Sequence, residues 1–246
     1  MPQGFKSGFS KAAAKARSRA ATKKGRTAQV AQARSRAVMN PRTGGFLGLE
    51  FKFVDYTNLG QAVTTTPAFV DDGTALALNS IATGDTESAR DGRKVTCRSV
   101  HVRGYLGTGR QEAQVAPIDD VCVRVLLVLD TQCNGAQGTA TNVIPNFYGW
   151  RNLQFTTRYK VLKDKVFRLP ATAGSSSAAA NDFNAPAVEV PFSFSKKLNF
   201  ATKFSGTTAV VGSIVDNALH LIAVIDTGTN NTCTINYTSR VRFTDA

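Results

Sequence analysis

The sequence predicts an all-β sandwich preceded by a basic, largely disordered N-terminal arm, and three observations carry that reading. From residue 46 onward, short runs rich in β-branched and aromatic residues alternate with Gly, Pro, Asn and Ser clusters. No long apolar pattern of helical period occurs in that part. The charge is also unevenly divided. Eleven of the 30 basic residues precede Gly45 with no acid before Glu50, which leaves 19 against all 17 acids in the remainder. The chain therefore divides into an arm, residues 1–45, and a nearly neutral body, residues 46–246, long enough for one sizeable core.

The arm cations are Lys6, Lys11, Lys15, Arg17, Arg19, Lys23, Lys24, Arg26, Arg34, Arg36 and Arg42. The stretch SKAAAKARSRAATKKGRTAQVAQARSR, Ser10 to Arg36, has too little apolar surface to offset its ordering entropy, so it is expected to be disordered when alone. Lys11, Lys15, Arg19 and Lys23 recur every four residues and would form one cationic stripe on a helix. Alanine favours that helix and the like charges oppose it, so it should form only when phosphates neutralise the stripe, ending at Gly25. Point charges on small spacers, without stacking aromatics among them, suit recognition of a phosphate backbone without base readout. A solvated charge run, a nuclear-localisation patch or an organellar leader would share this composition.

Eight strand candidates follow in the body: Glu50–Thr57, Lys94–Leu106, Val121–Asp130, Thr156–Leu169, Ala187–Ser195, Lys197–Phe204, Ala218–Asp226 and Cys233–Phe243. Cys233–Phe243 is apolar at its odd positions except Ser239 and polar at its even ones, including Arg240 and Arg242, which predicts one wet face. Val121–Asp130 and Ala218–Asp226 are apolar on both parities for much of their length, which predicts strands covered on both sides. Two covered sheets of about eight strands in about 200 residues fit an eight-stranded jelly-roll β-sandwich better than a compact immunoglobulin-like unit.

Catalytic signatures are sparse. His101 and His220 both fall inside strand candidates and read as structural. GxSxG, HExxH and P-loop patterns do not occur, and GYLGTGR lacks the lysine of a phosphate loop. The pairs Asp71-Asp72 and Asp119-Asp120 lie in loops, where they would be either solvated or ligands of a hard cation between subunits. Cys97, Cys122, Cys133 and Cys233 have no metal-ligand spacing and read as free thiols of a chain folded in cytosol or nucleus. No catalytic residue, metal or cofactor is expected, and no apolar run is long enough for a membrane span.

A second basic group comprises Arg158, Lys160, Lys163, Lys165 and Arg168, with Arg240 and Arg242 on one strand face. It would either extend the arm's electrostatic surface or protect a sheet edge. A single-strand-binding protein without a shell would interleave aromatics with such cations on an open sheet. The 15 Phe and 5 Tyr here mostly alternate into apolar strand faces, so that pattern is weak in the sequence.

The series LEFKFVDYT, ALALNSIATGDTESARDGRKVTCRSVHVRGYL, VRVLLVLD, RYKVLKDKVFRL and SRVRFTD resembles the capsid proteins of small circular Rep-encoding single-stranded DNA viruses. Its elements fall on Glu50–Asp55, Leu78–Ile81, Arg90–Lys94, Arg158–Lys165 and Arg240–Thr244, in the family's order and over nearly the whole chain. The resemblance implies a non-enzymatic jelly-roll subunit that assembles with itself into a small icosahedral T=1 shell of about 60 copies. It further implies an arm packed against a single-stranded DNA genome, host nuclear import factors as partners, and residence in the virion and the host nucleus during assembly. The Cys/His cluster of the geminivirus branch is not visible, so zinc is not carried over. Coats of small RNA viruses and satellites share the architecture and the arm, so an RNA genome stays open, as does a non-viral nucleic-acid-binding protein.

Overall fold

The computed structural model describes residues 51–71, 76–108, 120–170, 188–226 and 233–245; the eleven arm cations, Asp72 and Asp119 lie outside them. Among the described residues nine strands form: β1 (Phe51–Val63), β2 (Ala68–Phe69), β3 (Lys94–Thr108), β4 (Val121–Asp130), β5 (Tyr159–Leu169), β6 (Glu189–Phe204), β7 (Ile214–Asp216), β8 (Ala218–Ile225) and β9 (Cys233–Asp245). They make two antiparallel sheets, β1-β9-β3-β6-β7 and β2-β8-β4-β5.

The order of pairing explains the architecture. β1 pairs β9, β2 pairs β8, β3 pairs β6 and β4 pairs β5, so the chain is a set of nested hairpins wound into two layers. That winding is a jelly roll, with β7 added as a short edge strand beside β6. Two candidates from the sequence, Ala187–Ser195 and Lys197–Phe204, are one continuous strand, β6. Its even positions face inward, but Lys196 occupies one of them and remains exposed, which interrupts the alternation in the sequence.

The main core lies between the sheets. It is built from β4 residues such as Val123, Val125 and Leu127, and from Phe192, Ile235, Val241 and Phe243 of the facing sheet. A second, smaller core explains why β4 and β8 are apolar on both parities. The connection from β4 to β5 folds across the outer side of its sheet and packs Ala140, Val143 and Ile144 on Leu126, Val128, Ile222 and Val224. Arg124 fixes this cover. It donates to the carbonyls of Phe147 and Gly149 at 2.7 and 2.9 Å and grips Asp164 with two bonds of 2.9 and 2.7 Å.

Buried polar groups pin the loops to the sheets. Asn79 donates to Thr202 Oγ1 and the Asn217 carbonyl and accepts from Leu219 N, so it ties β6 to β8 across the layers. Lys52 is buried between Asp91 and Asp245 at 3.0 and 3.1 Å. Burial pulls its pKa down, but the two carboxylates outweigh this and hold it above the usual lysine value.

His220 sits in the second core against the Phe69 ring, and neither ring nitrogen has a hydrogen-bond partner among the described residues. Burial pushes its pKa down to about 4, with Asp130 opposing this and Arg158 adding to it. The unfolded chain takes up this proton near pH 6.5 and the folded chain only near 4. The native state is therefore fully favoured above about pH 6.5 and loses about 3 kcal/mol as the pH falls through 4. Urea midpoints measured from pH 7 to pH 4 should fall more steeply in the wild type than in His220→Leu; parallel profiles would refute the assignment.

Candidate nucleic-acid interface

The sheet β1-β9-β3-β6-β7 has one face on the core and one open. Register fixes the open face. Arg240 lies opposite Asp55 and His101, Arg242 opposite Phe53 and Ser99, and Arg103 opposite Thr238 and Ser193. A bulge between Cys97 and Ser99 shifts the phase of β3, so that Arg98 also points outward. It donates to Thr244 Oγ1 at 3.3 Å and to Asn199 Oδ1 at 3.2 Å. The result is a polar face carrying Arg98, His101, Arg103, Lys197, Arg240 and Arg242.

Asp55 lies on this surface at its β1 edge, and it is engaged. Arg240 grips it with two bonds of 2.7 and 2.6 Å while lying over the Phe53 ring at 4.6 Å. The Arg240 guanidinium, with the Arg103 charge further off, holds the Asp55 carboxyl below the usual carboxylate range. Arg103, Lys197 and Arg242 are exposed and make no ion pair with the described residues. Three aromatics reach the same face, Phe51, Phe53 and Tyr105. The open face thus has the interleaving of cations and rings that the sequence shows only weakly. β1 opens at Phe51, opposite Thr244, so the chain enters the sheet at the end of the face that holds Arg98 and Arg242.

The second basic group of the sequence is not brought together. Arg240 and Arg242 lie on the open face, whereas Arg158, Lys160, Lys163, Lys165 and Arg168 line β5, the edge of the other sheet. Arg158 is bound to the fully buried Asp130 at 3.0 and 2.8 Å, and Arg168 pairs with Asp120. Lys165 Nζ reaches the Ser193 carbonyl of the facing sheet at 3.4 Å. Lys160 and Lys163 share its inward parity at the rim. These positions match charges that guard a sheet edge.

Sequence reasoning missed Arg98, Arg103, Lys197 and Tyr105. The signal was present as the alternation of His101, Arg103 and Tyr105 with buried Val102 and Leu106 and half-buried Gly104, but the bulge at Arg98 breaks the phase upstream. Of the acid pairs, Asp71 accepts from Gln137 and Asp120 from Arg168. No group of three or more His, Cys, Asp or Glu side chains suited to a metal occurs among the described residues. All four cysteines are free; burial raises the thiol pKa of Cys97 to about 11 and that of Cys233 to about 12.

No family model and no curated protein matches the sequence. Among solved structures, a chain of Desmodium yellow mottle tymovirus aligns with 84% of this chain and 93% of its own, at 10% identity and a TM-score of 0.30.

Proposed function

We propose that this protein is a viral capsid subunit that self-assembles into a small icosahedral shell and packages single-stranded nucleic acid. The supporting observation is the joining of a jelly-roll body to a segment of eleven cations without an acid. A sandwich of this kind is a rigid brick, and copies related by rotation can close into a shell through heterologous contacts. The β4–β5 connection offers a surface for such contacts. Its Tyr148, Leu153 and Trp150, the last 92% exposed, stand out from a loop that Arg124 holds in place. The arm cations, and on the body Arg98, Arg103, Lys197 and Arg242, would meet the phosphates.

The finer reading is a T=1 shell of about 60 copies around single-stranded DNA, assembled in the host nucleus with the arm also serving import. It rests on the motif series that resembles capsids of circular single-stranded DNA viruses. Nuclease-treated particles tested separately with DNase and RNase after disruption would decide it. Protected nucleic acid that only DNase degrades is the expected result, and RNase sensitivity would move the protein to the RNA or satellite class.

A second reading, a single-strand-binding protein that forms no shell, is favoured by the aromatics among the arginines of the open face. Sedimentation velocity separates the two. A shell sediments as one large species, whereas a binding protein sediments as a small oligomer with or without added strands.

A further inference from the structure

The open face contains a shallow groove of about 350 Å³ at the middle of β3 and β9. One wall is Tyr105, 39% exposed, and the other is Leu59, 74% exposed, at the bulge of β1. Gly104 forms part of the lining, where a Cβ would collide with the backbone of β9 at Asn236 and stand 2.8 Å from the Tyr237 Cα. Gly104 alternates with the outward Arg103 and Tyr105, so what it presents to the groove, beneath the two walls, is strand backbone.

The polar groups of the groove are oriented. Asn236 accepts from Gly60 N through its Oδ1 at 2.6 Å, which fixes the amide and leaves its NH2 as a donor. Arg103 borders the groove beside Thr238 with no acid bound to it among the described residues. Outward-facing residues along β9 then continue from Thr238 to Arg240 and Arg242 at a spacing of about 6.8 Å.

We propose that this groove is a subsite for one unpaired nucleotide of a single-stranded nucleic acid. Tyr105 stacks on the base against Leu59, the Asn236 amide donates to a base acceptor, and Arg103 takes the adjoining phosphate. The charge of the face selects the occupant: an exposed aromatic and an unpaired arginine beside further cations complement a polyanion that carries flat rings. The subsite rests on the nucleic-acid-binding reading above and adds base contact to a surface otherwise suited only to phosphates.

The test uses full-length protein freed of nucleic acid. It is photo-crosslinked to an oligothymidylate of about twelve nucleotides carrying iodouracil, and to the matching oligouridylate, and the attached peptides are mapped by mass spectrometry. Crosslinking at Tyr105 with either polymer, retained in Tyr105→Phe and lost in Tyr105→Ala, supports the subsite, and the stronger polymer identifies the preferred sugar. Replacing the bases by abasic sites should weaken wild-type binding about tenfold and leave Tyr105→Ala nearly unaffected. Strong binding with crosslinks elsewhere and the same abasic penalty in both proteins would overturn the subsite while leaving the nucleic-acid reading intact. Failure of every oligomer to bind would overturn both.

Discussion

Arg90→Ala is expected to destabilise the body by about 3–5 kcal/mol, a large part of the stability of an ordinary domain. Arg90 is 1% exposed and lies in the loop before β3. Its guanidinium donates to the carbonyls of Ile81 at 2.9 Å, Gly92 and Gly206, and lies over the Phe204 ring at 4.1 Å. Its own N–H and C=O bind Ala82 and Gly84, so one residue holds the loop to β6 and its exit. Removing the side chain takes this donor from the buried Ile81 carbonyl and the part-buried Gly92 and Gly206 carbonyls and leaves a cavity against Phe204.

Lysine should not rescue this site, because a single ammonium cannot reach three splayed carbonyls as the planar fork does. Urea denaturation followed by far-ultraviolet circular dichroism would measure the loss. Tryptophan emission is a poor reporter here, since Trp150, the one tryptophan, is already exposed. A loss below about 1 kcal/mol in Arg90→Ala would show that the loop is held by its other contacts.

Deleting Met1–Arg42 is expected to abolish packaging while leaving the β domain folded. The deletion removes all eleven arm cations and reduces a net charge of +13 to about +2. In a shell of about 60 copies the arms would carry on the order of 660 positive charges, enough to neutralise a large share of a short genome's phosphates. The open face has only a few unpaired cations per copy, so it can order strands but cannot replace that charge. The truncated protein should show unchanged circular dichroism and near-complete loss of nuclease-protected nucleic acid. Loss of the β signal would refute the division into arm and body.

Much of the fold is legible in the sequence because burial on both faces leaves a plain trace. Val121–Asp130 matches its strand at both ends, and its two apolar parities reflect two real cores, one between the sheets and one beneath the loop that Arg124 holds. β2 has only two residues and β7 three, too short for any alternation to register. The interface is harder to read, since it depends on pairing. Arg103 becomes significant when β9 is seen to bring Thr238 and Arg240 beside its strand, and Leu59 when the bulge of β1 sets it over Asn236. Conversely, Arg90, Arg158 and Lys52 belong to the segments that carry the viral resemblance, yet they are engaged in internal pins rather than offered to a ligand.

Negative-stain electron microscopy of purified full-length protein, with the ultraviolet absorbance ratio taken on the same fraction, tests whether the protein assembles into a shell around nucleic acid. Uniform small shells with an absorbance ratio typical of nucleic acid are the expected result. Discrete monomers or dimers across pH and salt, merely coating added single strands, would contradict it.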